Sequence, residues 1–210
     1  MAKRSNKPRV DKGKYATPLL ALLPLIPHLV QPGIKFIEPC AGDGRLADWL
    51  EDYGHKCTLA SDIDPYNMLA AQALPPSQVR MTARLIPNID ARKLDITDIP
   101  SGTTHAITNP PWPLPGGNGE PTLAIIRNML RLNLVTWVLL SADFMHNGYA
   151  TPLLRDHGAK IVSIGRVKWF PGTEHDGMDN CCWYQFVPWQ RAGEGHLVFV
   201  PKARFSHGKR

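Results

Sequence analysis

Four cysteines are all that the 210-residue chain carries, Cys40, Cys57, Cys181 and Cys182, and none stands in a CxxC pair or at zinc-ligand spacing from a histidine. That scarcity excludes a disulfide-stapled secreted scaffold and a structural zinc site, and it describes a reduced, cytoplasmic protein that holds no metal. No apolar stretch approaches the ~20 residues of a membrane span. The run LLALLPLIP after the basic MAKRSNKPRV imitates a signal peptide, but Pro24 and Pro27 interrupt it and no small-residue cleavage site follows. Internal repeats and low-complexity linkers are absent. With 43% hydrophobic and 20% charged residues, wholesale disorder, collagen-like repeats and coiled coils are excluded too. The length is too short for two independent domains and ample for one full core.

Proline, by contrast, is abundant: twenty residues, roughly double the usual share, which keeps helices short and loops stiff. The net charge is +6, and its distribution matters more than its size. Residues 1–14 carry six Lys/Arg against Asp11 alone, and residues 202–210 add Lys202, Arg204, Lys209 and Arg210 with no acid. The two ends therefore hold +9 and the body −3. Flexible basic ends on a near-neutral body suit contact with a polyanion, because phosphate contacts by Lys and Arg need no fixed geometry. The organisation expected is a basic arm (1–14), one domain (15–200) and a basic tail (201–210).

From Gly33 onward the pattern is strand (34–37), glycine-rich turn (40–44), helix (45–53) and strand (56–60), a βαβ unit. A helix starts near Pro65 and stops before Pro75-Pro76; residues 77–92 show no clear pattern. A strand at 104–108, a mobile loop marked by Gly116, Gly117 and Gly119, a helix at 121–132, a strand at 134–141, a helix at 146–157 and strands at 160–166 and 181–187 continue the alternation. In a strand, adjacent Cys181 and Cys182 point to opposite faces. Alternating α and β with right-handed crossovers predicts an α/β fold: a Rossmann-like open, mostly parallel sheet with helices on both faces. Ligands of such sheets bind at the carboxyl ends of the strands, and the unusual clusters of this sequence fall there.

The first cluster is Glu38-Pro39-Cys40-Ala41-Gly42-Asp43-Gly44. Its glycines permit positive φ and close backbone approach to a ligand. Asp62 lies twenty positions past Gly42, at the end of the second strand, where a carboxylate can accept both hydroxyls of a ribose. The loop lacks G-x-G-x-x-G, and Glu38 and Asp43 would repel a pyrophosphate. Acids there favour a cationic ligand. S-adenosylmethionine (SAM), with a sulfonium and an ammonium group, is one, and Asp43 or Glu38 could hold its methionine end. Asp95 either accepts from an adenine amine or caps a turn. His175 with Asp176 and Asp179 could suggest a metal site, but in a glycine-rich loop they read as solvated polar residues.

The second cluster is Asn109-Pro110-Pro111-Trp112 after the apolar HAIT. Two prolines remove two backbone donors and fix φ, leaving the Asn109 side-chain carbonyl and the Pro110 carbonyl free to accept side by side. An amide or exocyclic amine offers two N–H groups to such a pair. Its delocalised lone pair is then drawn toward sp³ character and aimed at a methyl donor, while Trp112 can stack on a planar base, a contact worth ~1–3 kcal/mol.

On these residues the chain resembles the class I SAM-dependent amino-methyltransferases, in which an acidic glycine-rich loop precedes an (N/D)PP(Y/F/W) motif. The resemblance covers roughly residues 15–187, and the motif order resembles the gamma arrangement of DNA adenine methyltransferases. It implies that Tyr15-Ala16-Thr17-Pro18 borders the SAM carboxylate and that Glu38, Cys40, Ala41, Gly42, Asp43 and Gly44 form the cofactor loop. It further implies Asp62 on the ribose with Ile63 beside it, Asp95 near the adenine, Asn109 to Trp112 as the catalytic tetrapeptide, and Trp169 or Phe170 as a second aromatic over an extruded base. RVKWFPG…DNCCWYQF also looks like small phage and prophage methyltransferases. Only 98 residues follow Trp112, too few for a separate recognition domain, so target recognition must come from short elements or a protein partner. The expected function is methyl transfer to adenine in DNA, with no membrane involved. Protein glutamine, RNA adenine and a silent nucleic-acid-binding relative are the alternatives.

Overall fold

The computed structural model describes residues 16–29, 33–64, 84–169, 177–188 and 196–199. The basic arm and tail, Tyr15, the helix expected from Pro65, Phe170, His175 and Asp176 lie outside the described residues.

Alternation of apolar residues builds one sheet of eight strands: β1 (Lys35–Glu38), β2 (Lys56–Asp62), β3 (Arg84–Pro87), β4 (His105–Thr108), β5 (Val135–Ser141), β6 (Gly158–Arg166), β7 (Asn180–Phe186) and β8 (His196–Phe199), in the order β3-β2-β1-β4-β5-β7-β6-β8. Pairing is parallel except for β7, which runs antiparallel between β5 and β6. Helices α1 (Leu19–Leu22), α2 (Arg45–Asp52), α3 (Thr122–Arg131) and α4 (Thr151–His157) cover the faces. The expected mostly parallel, doubly wound architecture is therefore the observed one.

β5 shows how both faces are buried. Trp137 and Leu139 join a core with Leu22, Leu46, Leu50 and Trp183, whereas Val138 and Leu140 join Leu123, Ile126, Phe144 and Leu153 on the other side. Cys181 and Cys182 divide between the same two cores, as alternation along a strand requires. The Trp183 Nε1–H donates to the Ala21 carbonyl (2.7 Å), which pins the segment before β1 onto the sheet.

Two strands are absent from the reading of the sequence, β3 and β8. Each has four residues and occupies an edge of the sheet, so neither shows a period, and Pro87 is tolerated in β3 because an edge strand leaves donors unpaired. The helix expected over 146–157 is instead a 3-10 turn (Ala142–His146) followed by α4, with Asn147-Gly148 between them. Pro152 in the first turn of α4 sets the new start.

Strand β1 pairs with β2 on one side and β4 on the other, so successive crossovers leave in opposite directions and the topological switch point, where sheets of this kind form their crevice, lies at the carboxyl ends of β1 and β4. At the opposite edge His105 begins β4, with the Thr104 hydroxyl 2.7 Å from its Nδ1. Burial, and then the neighbouring His55, lowers its pKa from 6.5 to about 4. The unfolded chain takes up that proton near pH 6.5 and the folded one only near pH 4. Stability is therefore full above pH 6.5 and is lost as pH falls through about 4. His105→Gln is expected to flatten the decline in urea midpoint between those values; parallel declines in both proteins would remove His105 as its source.

Candidate functional site

Glu38, Asp62 and Thr108 are the last residues of β1, β2 and β4, and the sheet brings them to one edge. The loop after β1 is held from below: Ala41 N–H donates to the Ser61 carbonyl (2.9 Å), and Gly42 N–H donates to Asp62 Oδ2 (2.8 Å). The twenty-residue spacing in the sequence is thus a direct hydrogen bond. Gly42 has φ +56°, a conformation costly for other residues, and a Cβ there would meet nothing within 4 Å. Backbone conformation demands the glycine, and the space above it is open. Gly44, also at positive φ, caps α2.

Asp62 is 8% exposed, and its Oδ1 accepts from Asp64 N–H (2.8 Å). Ile63 beside it is 60% exposed, an apolar side chain held out at the rim. Asp43 pairs with Arg45 and stays partly exposed. Glu38 is buried, the Ala47 backbone donates to its carboxyl group, and its Oε2 has no hydrogen-bond partner. Burial, and after it the nearby Asp43, Asp62 and Asp48, push its pKa well above 4.5. Cys40 sits in the same field, and burial with the Asp62, Glu38 and Asp90 carboxylates raises its thiol far above the ordinary value. It is a protonated packing group there, with no thiolate for nucleophilic chemistry.

The remaining cofactor-side expectations divide. Thr17 is buried just before α1, within the segment that packs on the sheet. Asp95 does not join the cluster. It is exposed and spends its carboxylate on Thr97 N–H, in a capping box with Asp98. The acid that does approach is Asp90, which follows β3; Ile89 N–H donates to the Asp62 carbonyl (3.1 Å), and Cys40 feels the Asp90 charge. Asp90 chelates the Arg92 guanidinium, which lowers its pKa. Its signal in the sequence was an acid directly after a strand, and that strand was too short to recognise.

On the other side of the crevice, Asn109 to Trp112 leave the end of β4. The Trp112 Nε1–H is shared between Asn109 Oδ1 (3.1 Å) and the Leu139 carbonyl of β5 (2.9 Å). The Asn109 carbonyl is therefore engaged by Trp112, which corrects the expectation of a free acceptor. The Thr122 hydroxyl donates to the Pro111 carbonyl (2.5 Å), while no described residue donates to the Pro110 carbonyl. Trp169 meets Trp112 edge to face, centroids 5.5 Å apart at 83°, so the structure brings these two aromatics together. Among the described residues no group of His, Cys, Asp or Glu is placed to hold a metal ion, and no helix is long and apolar enough to cross a membrane.

No protein-family profile and no curated protein matches the chain. Solved structures do. A candidate class I SAM-dependent methyltransferase from Listeria monocytogenes is similar at TM-score 0.62 and 10% identity, over 93% of this chain and 68% of that one. The methyltransferase subunit of a type I restriction-modification system from Streptococcus thermophilus is similar at 0.59 and 16%, over 93% of this chain and 49% of its own, so the chain spans about half that subunit's length. A candidate RNA methyltransferase from Pyrococcus horikoshii is similar at 0.58 and 14%, over 88% and 92%. At such identities the likeness shows the fold, the Rossmann-like class I methyltransferase fold.

Glu38 gives the site a pH signature of defined sign. Its folded pKa exceeds the unfolded one, so stability is full below pH 4.5 and falls as pH rises through the raised value. Each unit of elevation corresponds to about 1.4 kcal/mol. Glu38→Gln is expected to melt higher than the parent at pH 7–8 and to lose that advantage near pH 4; equal melting temperatures at both would refute the electrostatic strain.

Proposed function

We propose that the chain is a SAM-dependent methyltransferase that acts in the cytoplasm and modifies the exocyclic amine of adenine in DNA. The observation that carries this reading is the pairing, at the carboxyl ends of neighbouring strands, of a buried acidic cluster under an open glycine turn with an Asn-Pro-Pro-Trp segment whose indole is held by Asn109 and by β5. The donor set fits the cofactor. Glu38 Oε2 is a buried acceptor without a partner, Asp62 retains lone pairs beyond its two backbone bonds, and the space above Gly42 is unfilled. Acids so placed disfavour a dinucleotide pyrophosphate and favour a cation.

When bound, SAM supplies an electrophilic methyl group on a sulfonium. The residues of the chain do the rest. Asp62 accepts from the ribose hydroxyls, Ile63 and Asp90 border the adenine end, and Glu38 or Asp43 balances the ammonium. Asn109 Oδ1 and the Pro110 carbonyl accept the two N–H groups of the target amine and turn its lone pair toward the methyl. Trp112, fixed at its N–H before any substrate arrives, supplies a base platform with Trp169 at its edge.

Nucleic acid as acceptor is supported by the +9 charge of the two ends against −3 on the body and by the restriction-modification and RNA methyltransferases among the structural neighbours. DNA is preferred on the order of motifs, which resembles the gamma arrangement. Target recognition rests on short loops or on a protein partner.

Purified protein with radiolabelled SAM is expected to label adenine in DNA, single-stranded at least as well as duplex, because extrusion costs a few kcal/mol. Labelled glutamine in protein, or RNA adenine with unmodified DNA, would replace the acceptor. Asn109→Ala should lower turnover by at least tenfold (about 1.4 kcal/mol) and leave SAM affinity nearly unchanged, whereas Asp62→Ala should weaken SAM binding tenfold or more by calorimetry. A variant Asn109→Ala that keeps most of its activity would exclude the two-carbonyl mechanism. With about six terminal charges on phosphates, log K should fall with log[salt] at a slope of roughly −4 to −5, and removal of residues 1–14 should flatten it.

A further inference from the structure

The loop between Trp112 and α3 is built for a purpose that the roles above do not use. Gly117 N–H donates to the Leu114 carbonyl (3.0 Å), which closes a four-residue turn. Pro115 fixes φ at its second position, and Gly116, at φ +74°, supplies the left-handed conformation that a type II turn requires at its third. Pro113 restrains the residue before Leu114's entry to the turn. Both feet of the loop are anchored: Thr122 bonds to Pro111, and Gly119 lies so close to Tyr149 and Leu123 that an added Cβ would stand 2.6–2.7 Å from them. The turn therefore does not swing as a body.

What this stiff turn presents is apolar. Leu114 is 65% exposed, the most exposed large hydrophobic side chain among the described residues. Trp112, two residues earlier and at most about 7 Å away along the chain, is locked by its indole N–H. An aliphatic side chain in water next to an aromatic platform gains nothing from the folded protein itself. It gains when the surface opposite offers an apolar slot. A duplex from which one base has been drawn out offers such a slot, since successive bases on a strand are spaced by about 3.4 Å and extrusion leaves the neighbouring base faces bare.

We infer that Leu114 is a wedge that fills the gap in a DNA duplex while the extruded base rests on Trp112. The inference rests on the nucleic-acid reading above and adds a positioning residue to it. Leu114 touches neither cofactor nor reacting atoms; it acts by stabilising the opened duplex, so its effect is confined to substrates that must be opened.

The test compares Leu114→Ala and Leu114→Met with the parent on an oligonucleotide that the parent methylates, offered as duplex, as single strand and as duplex mismatched at the target. Leu114→Ala is expected to lower kcat/KM on the matched duplex tenfold or more, to change it less than twofold on the single strand, and to recover on the mismatch, with the melting temperature unchanged. Leu114→Met, which keeps an apolar wedge, should retain most of the duplex activity. In parallel, 2-aminopurine at the target position of the duplex should brighten with the parent and stay quenched with Leu114→Ala. Equal losses on duplex and single strand, or no loss on the duplex, would overturn the wedge while leaving the methyltransferase reading intact. A parent protein inactive on every nucleic acid would overturn that reading and the wedge with it.

Discussion

Asp62 ties three separate stretches of chain together. Its Oδ2 takes the Gly42 N–H from the loop after β1, its Oδ1 takes the Asp64 N–H from the turn after β2, and its main-chain carbonyl takes the Ile89 N–H from the segment after β3. Hydrogen bonds to a charged acceptor are worth roughly 1.5–3 kcal/mol each, enough to hold irregular backbone where the sheet ladder has ended. Remove that carboxylate and the glycine turn loses its floor and the turn after β2 its Asp64 anchor, while the main-chain bond to Ile89 stays. The open crevice follows from this one side chain more than from any helix around it.

The same concentration of acid is costly to the fold. Glu38, Asp43, Asp48 and Asp62 share one region, and a buried carboxyl oxygen goes without a donor. An arrangement that served stability alone would hold an amide or an aliphatic residue at position 38. Proteins tolerate such local conflict where a ligand resolves it, and the surrounding core, with Trp137 and Trp183 fully enclosed, supplies the reserve that makes it bearable.

The long strands and the two loops were legible in the sequence, because Val135–Ser141 and Asn180–Phe186 are largely apolar and glycine and proline punctuate the carboxyl ends of β1 and β4. The short edge strands were not: β1 and β4, equally short, run into a glycine turn and a proline pair that mark them, whereas β3 and β8 have no such motif beside them. With β3 unseen, Asp95 stood out over Asp90; the structure gives Asp95 the turn-capping role that the sequence also allowed, and places Asp90 nearer Asp62 and Cys40. The engagement of Asn109 by Trp112 was invisible for another reason. It depends on Trp112 reaching both Asn109 and Leu139, a contact between β4 and β5 that no local pattern encodes.

The single reversed strand has a further effect. Because β7 descends between β5 and β6, the chain leaves β6 and enters β7 at the carboxyl edge of the parallel strands, where Trp169 meets Trp112. A connection of this kind can lengthen at little thermodynamic expense, each doubling adding only about 0.6 kcal/mol of closure entropy, while its two ends stay fixed by the sheet. The Trp112 side of that edge can therefore accept insertions, whereas the Gly42 side, stitched through Asp62, admits little change of length. One half of that edge is tolerant of length and the other is not, and the boundary between them runs down β4.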